Sequence, residues 1–260
     1  MSVIKPGPRN TAAERVALVL QAFDRPASDL GVTQVAAITG LDKSVVHRIL
    51  ATLVAHGFLQ HDATTRRYRV GIGVWRLGQR YAPARSTLPM IVSQLQRIVD
   101  KYGVTGYVAA LDDIDIVYLA LVTGSGPLRV HVDVGSRLPA HRTALGKALL
   151  ADLPEAELEQ RLKALAARGD VVPGSRAAAT LRKDIAETAR TGIAHNRGEH
   201  LENIGAVGTV LHMAENYSAL AVSLAFPLFS DSDAMWDLLA RELDQLRSEF
   251  GLAPGQPRLL

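Results

Sequence analysis

The chain has 260 residues, no cysteine and a net charge of +3, a length that allows one large domain or two ordinary ones. The missing cysteines exclude disulfides, thiolate catalysis and thiolate metal sites. Charge is unevenly placed: residues 1–70 hold nine Lys/Arg against five Asp/Glu, and residues 71–260 hold 20 against 21, so the basicity that suits nucleic acid lies in the first quarter of the chain.

The first ten residues, MSVIKPGPRN, read as a Pro/Gly/basic tail with no apolar signal core, and no segment approaches the roughly 20 apolar residues of a membrane span. A soluble cytoplasmic protein is therefore expected. Thr11 is placed to cap a helix over Ala12 to Phe23, whose Val16, Leu18, Val19, Leu20 and Phe23 brace the next segment. That segment begins at Val32 and reads VTQVAAITGLDKSVVHRILATLVAHGFLQHDATTRRYRV. Thr33 can cap a short helix, and Gly40 suits the positive φ of a tight helix-to-helix corner. Asp42 or Ser44 then caps a second helix. In it Val45, Val46, Ile49, Leu50, Leu53 and Val54 recur at three- and four-residue spacing, which marks one buried face.

The opposite face carries Lys43, Ser44, His47 and Arg48, short polar or cationic groups suited to base edges and phosphates in the major groove. Gly57 ends the helix, a turn at Asp62-Ala63-Thr64 follows, and Arg66 to Val70 returns as the second strand of a hairpin wing. Arg66, Arg67 and Arg69 on that ribbon suit phosphate contacts, because each neutralised phosphate releases counterions. Together these elements predict a winged helix-turn-helix that binds double-stranded DNA. A connecting helix is expected from Val74 to Tyr81, stopped by Pro83, with Trp75 and Leu77 packing either between protomers or on their own domain.

From Leu88 the pattern changes. An amphipathic helix to Tyr102 precedes strands at Gly106 to Leu111, Asp115 to Val122 and Leu128 to Val134, with a hairpin signal at Asp112-Asp113. Helices follow at Thr143 to Asp152, Pro154 to Ala167 and Ala177 to Thr191. Strands resume at Ala206 to Met213 and Ala219 to Ala225, joined by a polar turn at Ala214 to Ser218, and a last helix runs from Asp233 to Phe250. Hairpins at both ends with helices between them predict an α+β domain with an antiparallel sheet. Thr143 is placed to cap the central helix, with the amides of Ala144, Leu145 and Gly146 pointing outward at its positive end as a site for a carboxylate. Arg142 either pairs with an acidic effector or is solvated.

Three stretches carry a family resemblance over nearly the whole length. Lys43 to Leu53 with Gly57-Phe58-Leu59 and Arg67 to Gly71 is one, GSRLPAHRTALGK at Gly135 to Lys147 is the second, and Thr191 to Glu199 with Gly205 and the strands to Pro227 is the third. In this order they resemble an IclR-type bacterial transcriptional regulator. The resemblance implies a winged-helix homodimer on operator DNA, commonly a dimer of dimers, and a GAF-like or profilin-like effector-binding domain. It implies effector contacts at Leu138, Ala144 and Leu145, and by motif at Asn196, Ala206, Gly208 and Ser223. About two extra residues between Gly192 and Gly205 leave Arg197 and Glu199 as alternatives to Asn196. Ala225, where some relatives place a polar side chain, implies a less polar pocket. Ordinary strand packing is the competing role for Gly208 and Ser223.

The expected division is a DNA-binding domain over 1–70, a linker helix over 71–85, and an effector-binding and oligomerisation domain over 86–260. His131, His141, His195, His200, His212 and Glu199 lack the tight spacing of a metal site, and no nucleophile elbow is present, so neither a metal, a cofactor nor an enzymatic activity is expected. Gly124 to Pro127 reads as a turn rather than a phosphate loop. The alternatives are an enzyme, or a ligand-blind dimerisation domain, fused to a DNA-binding module.

Overall fold

The computed structural model describes residues 11–24, 29–80, 87–125, 132–212, 219–228 and 232–250, and the chain divides into two compact units, Met1–Tyr81 and Ala82–Leu260. In the first unit, α1 (Ala12–Gln21) opens with a capping box in which Thr11 Oγ1 accepts from the Glu14 amide and the Thr11 amide donates to Glu14 Oε2. Helix α2 (Val32–Thr39) starts earlier than the sequence suggests: Gly31 is its N-cap, and the Gln34 side chain reaches back to the Gly31 amide at 2.9 Å. Thr33 consequently lies inside the helix and does not cap it. Gly40, at φ +70°, closes α2 in the left-handed conformation that a Cβ would strain. Helix α3 (Lys43–Ala55) follows with Asp42 at the N-cap position, its side chain making no capping bond. Val19, Val35, Ile38, Val46, Leu50 and Leu53 from the three helices form one core.

Strands β1 (Leu59–Asp62) and β2 (Arg67–Val70) pair antiparallel from Leu59↔Val70 to Asp62↔Arg67. The return strand begins one residue later than expected because Arg66 takes φ +55° in the turn, where Asp62 Oδ1 accepts the amides of Thr64 and Thr65 at 2.8 and 3.2 Å. Leu30 and Tyr68 exchange two backbone hydrogen bonds of 2.9 Å, which ties the wing to the segment before α2. Helix α4 (Ile72–Gly78) starts two residues before the expected Val74 and ends at Gly78, short of the expected Tyr81, with Gln79 and Arg80 in a turn; Tyr81 itself and the expected stop at Pro83 lie outside the described residues.

The second unit contains α5 (Thr87–Tyr102), β3 (Thr105–Asp112), β4 (Asp115–Thr123), β5 (Arg137–Pro139), a 3-10 turn at Ala140–Arg142, α6 (Ala144–Ala151), α7 (Glu155–Arg168), α8 (Arg176–Thr191), β6 (Ala194–Arg197), β7 (Ile204–Leu211), β8 (Leu220–Pro227) and α9 (Ser232–Phe250). Its sheet is antiparallel throughout, in the order β5-β4-β3-β8-β7-β6. Alternation along the strands sends Val108, Val122, Val207, Val222 and Leu224 to one face, against Ile91, Leu95, Leu239 and Leu243 of α5 and α9. The other face presents Tyr107, Ala109, Ile116, Val210 and Ala221 to α6, α7 and α8. A bulge between the Val108↔Ala120 and Ala109↔Tyr118 pairs puts Tyr118 on this second face beside Tyr107, ring centroids 5.5 Å apart.

The strand expected at Leu128 to Val134 is corrected. Residues 128–131 lie outside the described residues, and 132–134 enter a turn in which the amide and hydroxyl of Ser136 both donate to Asp133 O. The strand follows instead at Arg137–Pro139. Of the turn expected at Gly124 to Pro127 only Gly124 and Ser125 are described, and the turn expected at Ala214 to Ser218 lies outside the described residues.

Candidate functional site

On α3 the apolar spacing that buries Val46, Leu50 and Leu53 leaves Lys43, Ser44, His47 and Arg48 on the exposed face. Among the described residues none of these four side chains is engaged in a hydrogen bond or ion pair. On the wing, Arg67 and Arg69 point outward while Tyr68 between them is buried. Arg67 is partly committed, since its Nη1 donates to Asp29 O at 3.0 Å, and Arg66 belongs to the turn rather than to the strand. The three arginines therefore differ in freedom, which their clustering in the sequence does not reveal.

In the second unit the start of α6 is enclosed. Thr143 caps it as expected, but its Oγ1 accepts from the Gly146 amide at 2.9 Å, so that amide is not free for a ligand. The amides of Ala144 and Leu145 have no acceptor among the described residues. A Cβ on Gly146 would stand 2.1 Å from Ala140 O, and one on Gly208 about 3.0 Å from the Ala144 backbone. The first turn of α6 is thus pressed between the 3-10 turn and β7 in a packing that only a missing side chain permits.

Pairing Asn196↔Ala206, Ala206↔Ala225, Gly208↔Ser223 and Ser223↔Tyr107 puts Asn196, Ala206, Gly208 and Ser223 on the face that carries α6. Leu138 is on the opposite edge strand, paired with Ile116, and packs on the same core as Ala144 and Leu145. Ser223 is 3% exposed, and its hydroxyl has no hydrogen-bond partner among the described residues. Asn196 is also buried but bonded at both ends: Nδ2 donates to Arg142 O and Oδ1 accepts from the Gly198 amide. Arg142 is exposed, and its Nε and Nη2 both donate to Glu199 O at 3.1 and 3.0 Å.

The least expected group is Lys147. It lies in the middle of α6 and is 2% exposed, with Nζ donating to Asp184 Oδ2 at 2.6 Å, Glu199 Oε1 at 2.5 Å and His195 O at 3.1 Å. A cation inside an otherwise apolar helix, ALGKALLA, was the available signal for it. Burial holds the His195 imidazole below its ordinary pKa, with the Arg197 charge adding to the effect. Burial likewise raises the phenols of Tyr107 and Tyr118, the latter to about 12. A cavity of about 250 Å³ lies elsewhere, between α7 and α8, lined by Leu162, Ala166, Val171 and Leu181 among others. No group of three His, Asp or Glu placed to hold a metal occurs among the described residues, and His131 lies outside them. No helix among them is long and apolar enough to cross a membrane.

Comparison with known proteins follows the same division. The IclR helix-turn-helix domain matches residues 12–63, and the C-terminal domain of the bacterial transcriptional regulator IclR matches residues 87–246. The chain belongs to the IclR family of bacterial transcriptional regulators. Among IclR-family relatives, "Probable transcriptional regulator SauR" of Cupriavidus necator is 30% identical over 84% of this chain and 87% of its own length. An IclR-family regulator from Brucella abortus has a solved structure that superposes with a TM-score of 0.74 at 26% identity, covering 96% of this chain and 95% of the other. An IclR homologue from Microbacterium hydrocarbonoxydans, solved in complex with 4-hydroxybenzoate, shares the fold with a TM-score of 0.75 at 19% identity, covering 92% and 99%. This IclR-family chain is accordingly a transcriptional regulator with a helix-turn-helix DNA-binding domain and a C-terminal effector-binding domain. The family consists of regulators, which sets aside the fused-enzyme alternative.

Proposed function

We propose that the chain is a cytoplasmic, homodimeric switch for a catabolic operon, assembling as a dimer of dimers. Residues 1–70 read operator DNA, 71–85 link, and 86–260 bind a small carboxylate. Lys43, Ser44, His47 and Arg48 face the major groove, while Arg66, Arg69 and the remaining donors of Arg67 hold the flanking backbone. Ile72, Trp75 and Leu77 on α4 are 59–61% exposed, an apolar surface that a second copy would cover. Ligand acts by favouring one arrangement of the assembly over another.

The observation that carries the ligand half is the Ser223 hydroxyl, on a residue 3% exposed and with no hydrogen-bond partner among the described residues. It stands one strand from Gly208, on which Ala144 rests. A ligand oxygen at hydrogen-bond distance would give that hydroxyl a partner. The open amides of Ala144 and Leu145 at the positive end of α6 favour an anion, and Ala206, Gly208 and Ala225 offer no charge. The effector is therefore a compact monocarboxylate with an apolar body, and 4-hydroxybenzoate, held by the Microbacterium relative, is the first probe.

Fluorescence anisotropy on the DNA upstream of the gene tests this reading. Wild-type protein binds that DNA at moderate salt, 4-hydroxybenzoate or a short monocarboxylate shifts the affinity tenfold or more, and Ser223→Ala blunts the shift. Failure to bind DNA overturns the reading. Binding that no carboxylate alters assigns a ligand-blind second domain. Sedimentation velocity on the same samples must show a dimer or tetramer, and a monomer removes the assembly.

A further inference from the structure

We propose that buried Lys147 and partly exposed Glu199 form a charge pin that fastens residues 196–199 across the first turn of α6, making both of them positioning residues for the effector site. The proposal rests on the effector reading above only for what the pin serves; the pin itself stands on its own geometry. An ammonium has three N–H donors, and Lys147 points each at a different acceptor: Asp184 on α8, His195 O on β6 and Glu199 just beyond β6. Glu199 is bonded on three sides. One carboxylate oxygen takes Lys147, the other takes the Arg197 amide, and its carbonyl takes both bonds from Arg142. Asn196 adds a bond to Arg142 O.

These anchors bracket one short stretch of helix. Arg142 precedes α6 and Lys147 lies within it, so the strap of residues 196–199 is tied on either side of Ala144 and Leu145, whose amides stay open. The two carboxylates on Lys147 are not equivalent. Asp184 joins α6 to α8, two helices of the same packed layer. Glu199, whose side chain is 38% exposed, joins α6 to the far end of the strap, beyond Asn196 and Arg197, which pair with Ala206 and Gly205 of β7. Removing Glu199's charge leaves Lys147 still paired with Asp184, so the ammonium is not stranded and the change is confined to the strap.

Hydrogen exchange on the full chain without ligand decides the matter. Glu199→Gln is expected to speed exchange of the Arg197 and Gly198 amides at least tenfold while leaving α8 and the central strands as they were. Asp184→Asn removes a carboxylate from the same ammonium and is expected to leave exchange at 197 and 198 unchanged. Unaltered exchange in Glu199→Gln, or equal loosening in both variants, overturns the pin in favour of a general stabilising role. Calorimetry with 4-hydroxybenzoate then separates the two readings. If wild type binds, Glu199→Gln weakens binding about tenfold and Asp184→Asn much less; equal affinity across all three overturns the positioning role. If wild type binds no carboxylate, the effector reading falls and the exchange result alone decides the pin.

Discussion

Arg48 shows how core packing leaves one helix face free for the recognition proposed of it. The buried spacing of Val46, Leu50 and Leu53 fixes α3 against its core, and the rotation this imposes brings Arg48 to the surface with no partner among the described residues. Its guanidinium keeps all its donors for a guanine edge, a pairing worth about 1–3 kcal/mol of discrimination. Arg48→Ala should therefore weaken operator binding tenfold to a hundredfold while nonspecific DNA is held nearly as before, read by anisotropy at fixed salt. An equal loss on both DNAs would instead assign Arg48 to the phosphates. Arg69, on the wing, is expected to behave in that second way, its removal lowering the salt dependence by about one counterion.

The central helix α6 makes the case for shape over composition. Its start fits because Gly146 and Gly208 lack side chains, yet the two contacts are unequal: 2.1 Å to a backbone oxygen for Gly146 and about 3.0 Å for Gly208. Gly146→Ala must displace the 3-10 turn and should cost at least the 1–3 kcal/mol, roughly, of an overpacked core, with Gly208→Ala costing less. Urea denaturation midpoints measure both, and the reverse order would mean that the turn yields more easily than β7. The helices were legible in the sequence because a 3.6-residue period survives over ten or more positions, and α5 and α9 fall within one residue of their expected starts. β5 and β6 were not, since three and four residues, RLP and AHNR, are too short to show alternation. The exposed face of α3, proposed above to read DNA, is local in sequence, and its exposure was readable for that reason. The Lys147 cluster was not, because its acceptors lie 37, 48 and 52 residues away and nothing in the chain marks those groups as meeting at one ammonium.

Across the whole molecule the titratable groups set a stability window with opposite limbs. Burial lowers the pKa values of His141, His195 and His200, with nearby arginine charges adding to it. The unfolded chain binds protons more readily at these sites, so their contribution is full above the unfolded value of about 6.5 and is lost as pH falls toward the lower folded values. Asp115 is also desolvated, but Arg168 and Arg137 outweigh that and hold its pKa down, so its contribution is lost only below about pH 4. On the alkaline side burial raises Tyr118 to about 12, so its contribution falls as pH rises past the unfolded value of about 10. Urea midpoints should therefore be flat between roughly pH 7 and 9 and fall on either side of that range. His195 allows the acid limb to be assigned, because its ring packs on Trp236 with centroids 5.5 Å apart and only its backbone oxygen meets Lys147. His195→Phe keeps an aromatic ring there and removes the proton site, so the fall between about pH 7 and 5 should become shallower while the alkaline limb stays in place. An acid limb as steep as in wild type would assign it to other groups, His141 first, since its Nδ1 is buried with no hydrogen-bond partner among the described residues.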